Sequence, residues 1–169
     1  MQPGFNPPIF KVATSDGRNF VLLEPVVYLT GDGSKAYILP AGATSDGAST
    51  PPEIWINFPP FGGYWPAAFL HDCAYRDTLQ NPDGTWSTLP KDDCDALLKD
   101  AMTVAGTHTF TKDAIYEGVA LGGASSFAND RRAGRGAFLV NLDVLFGTVP
   151  AGPPPCSTEV AGFAPDFEP

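Results

Sequence analysis

The sequence predicts an α+β fold in one domain: a small antiparallel sheet, then a long loop, then a three-helix unit, with extended Pro-rich termini. Three observations predict it. The first forty residues alternate short apolar runs with Asp-Gly-type turns. Residues 40–65 are rich in glycine, proline and aromatics and show no periodicity. From Pro66 onward, apolar residues recur at helical spacing between clear start and stop signals.

A chain of 169 residues suffices for a single core. Residues 1–8, with Pro3, Pro7 and Pro8, read as an extended arm, residues 9–146 as the domain, and residues 147–169 as a second, Pro/Gly-rich arm. Within the domain, the runs Ile9–Ala13 and Phe20–Leu23 flank Asp16-Gly17, a pair that tolerates the positive φ of a hairpin turn. The runs Val26–Leu29 and Tyr37–Leu39 form a second pair across Gly31-Asp32-Gly33-Ser34, and Pro25 marks a strand end. Pro66 suits a first helical turn, and that helix is expected to reach about Leu79. A second helix should start near Pro90, with Asp92 and Asp93 at the positive end of its dipole, and stop at Gly106. A third should run from Lys112, capped by Thr111, to about Phe127. The apolar run 137–146 has no assignable type, and the basic stretch 129–136, with Arg131, Arg132 and Arg135, reads as a solvated loop.

Composition excludes several classes of function. Nineteen acidic against ten basic residues give a net charge of −9, which argues against tracking a phosphate backbone, so no nucleic-acid partner is expected. No apolar run is long enough to span a bilayer, and the first residues lack the pattern of a secretory leader. Cys73, Cys94 and Cys156 are too few and too dispersed for a disulfide framework or a zinc site, and each is expected to be a free thiol. A Pro-rich tail such as 147–169 needs a surface to lie on, and other subunits are the expected one.

The residues able to carry chemistry cluster on two of the expected helices. His71 and Tyr75 are four apart and share a face, while Asp72 is rotated by about 100° from His71. Asp95 falls with Leu98 and Met102 on the inward face of the next helix. A buried carboxylate must find donors, and His71 and Tyr75 are the nearest. Two uses of such a clasp are open. It can be a polar lock between helices. Alternatively, Asp95 orients His71 as a general base and leaves Asp72 to hold a hard cation, calcium being the candidate. No other cofactor is indicated. Asp46 and Ser49, in the turn Asp46-Gly47-Ala48-Ser49, either shape the long loop or face a substrate. The aromatics Trp55, Phe58, Phe61, Tyr64 and Trp65 read mainly as core or interface material, and His108 as a loop residue without a chemical role.

An ordered series of motifs runs from about Phe20 to Phe127. Pro40-Ala41-Gly42 is followed by Asp46-Gly47-Ala48-Ser49-Thr50-Pro51, then Leu70-His71-Asp72 with Tyr75, then Lys91 with Asp95, then Ile115-Tyr116. In this order they resemble the domain-of-unknown-function family 1353. The resemblance implies a phage or prophage origin, hence a virion-associated protein made in the host bacterial cytoplasm. Its partners would be other virion proteins or copies of itself, met through the Pro-rich arms in a capsid, connector or tail. His71-Asp72 with Tyr75 also resembles the catalytic helix of secreted phospholipases of the A-two class, whose second long helix supplies an orienting aspartate where Asp95 stands. That likeness implies a calcium-type hydrolase. The departures are the missing disulfide framework and the lack of a glycine- and cysteine-rich calcium loop before His71.

Overall fold

The computed structural model describes residues 2–14, 19–47 and 63–146. Strands β1 (Gly4–Asn6), β4 (Val26–Leu29) and β5 (Ala36–Leu39) form one antiparallel sheet in the order β1-β4-β5. Strands β2 (Val12–Thr14), β3 (Phe20–Leu22) and β6 (Thr44–Ser45) form a second, in the order β2-β3-β6. The two expected strand pairs are both present, with Val12 opposite Leu22 and Val26 opposite Leu39. The sheet is therefore two small sheets rather than one. The first arm is tied down, because Gly4, Phe5 and Asn6 pair with Leu29, Tyr28 and Val27. The hairpin turn expected at Asp16-Gly17 lies outside the described residues.

Alternation decides which side chains enter the core. Val26 and Tyr28 on β4 and Tyr37 and Leu39 on β5 point inward, as a period of two requires. They meet Phe69, Leu70, Leu98 and Met102 from the helices. Tyr28 also donates to Asp100 Oδ2 at 2.7 Å, and the Gly31 N–H reaches the same oxygen at 3.0 Å, which fastens the first sheet to a helix.

Helix α1 (Trp65–Tyr75) begins with Pro66 in its first turn, as expected. It ends four residues before Leu79. Asp77 adopts φ 54°, the Thr78 N–H bonds the Cys73 carbonyl at 2.9 Å, and the Asp77 N–H turns back to Ala74. This is the left-handed cap that glycine usually provides. Here the strained aspartate is held by Arg131, which pairs with its carboxylate, and by Arg135, which donates to its carbonyl.

Helix α2 (Lys91–Val104) follows Pro90 and stops ahead of Gly106, whose φ is 72°. The third helix differs from its expected bounds. It divides into α3 (Thr109–Gly122) and α4 (Ala124–Ala133), which meet at Gly123, with His108 rather than Thr111 in the N-cap position. A Gly-Gly pair is a common place for a helix to bend. The basic stretch is not a solvated loop. Arg131 lies on α4, donates to the Ala74 and Leu89 carbonyls at 3.2 and 2.7 Å, and covers the Phe127 ring. Arg135 opens a 3-10 turn (Arg135–Phe138) and lies over Trp86. Planar, permanently charged guanidinium groups suit both tasks. The run 137–146 resolves into the end of that turn, an isolated bridge from Leu139 to Ala43, and α5 (Leu142–Phe146).

Gly42 explains the Pro-x-Gly turn. Its φ is 86°, and a Cβ there would stand 2.2 Å from the Val140 carbonyl oxygen. The Gly42 N–H bonds Leu22 and its carbonyl accepts from Val140, so one residue joins β3 to the segment before α5. The tail 147–169, with Cys156, lies outside the described residues.

Candidate functional site

Helices α1 and α2 pack face to face, and their polar residues meet at one carboxylate. Asp95 is 2% exposed. Its Oδ1 accepts from His71 Nε2 at 3.0 Å and from the Tyr75 hydroxyl at 2.7 Å. Its Oδ2 accepts from Lys91 Nζ at 2.6 Å. The helical period places His71 and Tyr75 one turn apart on α1, and Lys91 one turn before Asp95 on α2. Burial opposes ionisation of Asp95, but the bonds from His71, Lys91 and Tyr75 outweigh it and hold the carboxyl at about 2. An ionised Asp95 can only accept, so the proton on His71 that faces it sits on Nε2. Nδ1 has no hydrogen-bond partner among the described residues. The Tyr75 ring lies 4.0 Å from that of His71, centroid to centroid, and Phe127 meets its edge at 5.1 Å. Burial, then the bond to Asp95, raises the Tyr75 hydroxyl far above its ordinary value, so it remains a donor.

Asp72 points elsewhere, into a second cluster around Arg76. Ser45 donates to Asp72 Oδ2 at 2.6 Å and accepts from the Gly47 N–H at 3.0 Å. Arg76 lies one turn after Asp72 on α1. Its Nη1 is 3.7 Å from Asp72 and 2.7 Å from the Thr44 carbonyl, its Nη2 is 2.7 Å from Asp46, and its Nε is 3.5 Å from Asp130. Burial pushes the Asp72 carboxyl up and the Arg76 guanidinium draws it back. The Asp46 carboxylate adds to the rise, and Asp72 settles at about 8.

The structure thus brings His71, Tyr75 and Asp95 together and sets Asp72 and Asp46 apart from them, around Arg76. Ser49 lies outside the described residues, as do Trp55, Phe58 and Phe61. Tyr64 is buried in the core, and the Trp65 ring sits among Phe10, Phe20 and Phe69. Cys73 and Cys94 are free and buried, and burial pushes both thiols up to about 12, far from the reactive range. Sequence reasoning missed Ser45, Arg76 and Arg131. Only Arg76 had a local signal, its i, i+4 spacing from Asp72.

The calcium expected at Asp72 does not suit the described donors. No three His, Cys, Asp or Glu side chains among the described residues stand together as a metal site. Asp72 Oδ2 already accepts from Ser45, and the nearest cation is the chain's own Arg76. A divalent ion there would face a guanidinium, and hard cations of this kind take six or more oxygens.

A family model described as "Protein of unknown function (DUF1353)" matches residues 20–119, more than half of the chain. The chain belongs to this family. The match spans β3 through most of α3 and includes His71, Asp72, Tyr75, Lys91 and Asp95. No curated protein and no solved structure matches the chain. No described helix is long and apolar enough to cross a membrane.

Proposed function

We propose that this member of the DUF1353 family is a hydrolase in which His71 serves as general base and Asp95 as its orienter. One observation carries the proposal: His71 is held through Nε2 by an ionised carboxylate, while Nδ1 has no partner among the described residues. A neutral ring so held presents its lone pair at Nδ1. A water at that atom gives up a proton to Nδ1 as its oxygen adds to an ester carbonyl. The imidazolium is stabilised by Asp95, and the proton passes to the departing alkoxide when the tetrahedral centre collapses. Tyr75 and Lys91 keep Asp95 an acceptor throughout. No step is routed through a metal. The likeness to the phospholipase helix suggests a lipid ester as substrate, and its calcium requirement is a separate question.

The test is ester hydrolysis by the purified chain on phospholipid vesicles and on small chromogenic esters, with and without calcium. His71→Gln should lower the rate by roughly 100-fold or more, the scale of a lost general base, with an unfolding temperature near that of the wild type. Wild-type protein inactive on every ester, or His71→Gln fully active, would overturn the proposal. The calcium arm shows whether hydrolysis needs the ion, which the donors around Asp72 do not suit.

A second reading is favoured by the outer face of the C-terminal helices. Leu121 on α3 is 88% exposed, Phe110 72%, and Val144 on α5 82%. Exposed side chains of this size suit a contact with other chains. We therefore also propose an assembly role in a phage particle, with virion proteins or copies of this chain as partners. Sedimentation of the wild type and of Leu121→Asp tests self-association. Identical monomeric behaviour across the micromolar range would rule out copies of this chain. The two readings are compatible.

A further inference from the structure

We infer that Lys91 is a positioning residue of the His71–Asp95 pair, one that decides which carboxylate oxygen is left for the imidazole. The inference rests on the hydrolase reading for its kinetic part only. A buried aspartate has two equivalent oxygens, and a half-turn about its last side-chain bond exchanges them. Here they are made unequal. Lys91 Nζ takes Oδ2 at 2.6 Å, and His71 and Tyr75 share Oδ1. The ammonium is itself fixed from behind, donating to the Val119 and Ala120 carbonyls at 2.9 and 3.2 Å. Those carbonyls belong to the last turn of α3, where a helix carries partial negative charge, and the Val119 oxygen accepts from the Gly123 N–H at 2.8 Å as well. Lys91 therefore spans a carboxylate and a helix C-terminus, and each satisfies part of its three-donor head. Arginine would deliver the same charge through a longer, planar fork; methionine would fill the stem's volume and deliver none.

Gly123 makes room behind the pair. A Cβ at that position would stand 2.6 Å from the Tyr75 hydroxyl and 3.4 Å from Lys91 Cε. The α3–α4 junction thus lies against the rear of the pair, where a side chain at 123 would displace the Tyr75 hydroxyl and only touch Lys91.

The experiment follows the His71 Nε2 proton by NMR in the full chain, alongside ester kinetics, for wild type, Lys91→Met, Lys91→Gln and Lys91→Arg. In the wild type this proton should give a low-field signal protected from exchange. In Lys91→Met it should exchange about tenfold faster or more, the equivalent of losing one charge-assisted hydrogen bond. Turnover should fall with KM unchanged, and Lys91→Arg should recover part of both. Lys91→Gln keeps a donor without the charge and should fall between, which preserves the test if the methionine variant does not fold. A folded Lys91→Met or Lys91→Gln with the wild-type His71 signal would overturn the inference. A wild type that hydrolyses no ester, yet whose His71 signal responds to Lys91, would sink the hydrolase reading and leave the positioning role standing.

Discussion

Replacing Asp95 by asparagine changes almost no volume and removes one charge from the centre of the helix pair. Asparagine keeps one carbonyl oxygen, which can accept from Tyr75 or His71. Its amide, however, turns two hydrogens toward donors, either Lys91 or His71. Lys91 retains the Val119 and Ala120 carbonyls and some solvent, so it is not left bare. The loss is therefore smaller than the 3–5 kcal/mol of a fully stranded buried charge, and larger than the roughly 1 kcal/mol of one neutral hydrogen bond. About 2 kcal/mol is expected. For a chain of this size that corresponds to a fall in Tm of about 4–8 °C, read by circular dichroism at pH 7. The pH dependence adds an internal check. The Asp95 carboxyl is held at about 2 in the fold, below its ordinary 3.8. A depressed carboxyl stabilises the fold above the unfolded value and loses that contribution as pH falls through the folded one. The gap between wild type and Asp95→Asn should therefore narrow between about pH 4 and pH 2. A gap under about 1 kcal/mol at pH 7, or one that does not narrow in acid, would refute the view of Asp95 as the ionised hub.

Asp72 should behave in the opposite sense. Its carboxyl is raised from 3.8 to about 8, so the fold favours the protonated form and loses stability as pH rises from about 4 to 8. Asp72→Asn should be about 1–2 kcal/mol more stable than wild type at pH 8 and closer to it at pH 4, in urea unfolding at the two pH values. Gly123→Ala should destabilise, because the new Cβ would stand 2.5 Å from the Val119 carbonyl oxygen and 2.6 Å from the Tyr75 hydroxyl. A loss of about 1–3 kcal/mol is expected, and adding Tyr75→Phe should recover some of it if the hydroxyl is the obstacle. An alanine variant as stable as the wild type would show that the α3–α4 junction has room.

Much of the helical half was legible because its signals are local. Pro66, the Asp92–Asp93 turn and Gly106 act on the backbone within a turn or two, and α1 and α2 begin and α2 ends where those residues predict. The same holds for the two strand pairs, which turn residues and alternation specify over a few positions. The early end of α1 was not legible. The left-handed aspartate at position 77 is held by Arg131 and Arg135, more than fifty residues away. The basic stretch misled for the same reason. Arginines in a Gly-containing, polar run look solvated until the carbonyls they cap are known.

At the candidate site, the helical period put His71 and Tyr75 on one face and Asp95 on the inward face of the next helix. Burial then required these groups to pair, since a carboxylate in the core cannot go without donors. Sequence by itself determined that much, because both requirements act through near neighbours and through the cost of desolvation. Tertiary structure alone decided the rest: that Lys91 takes the second oxygen of Asp95, and that Arg76 gathers Asp46, Asp72 and Asp130. It also decided that a glycine between two helices makes room behind Tyr75. The Lys91–Asp95 and Arg76–Asp72 pairs are one helical turn apart, but Arg76 with Asp46 and Asp130, Lys91 with Val119, and Gly123 with Tyr75 join residues dozens of positions apart. A chain read one window at a time carries no record of which distant group will arrive.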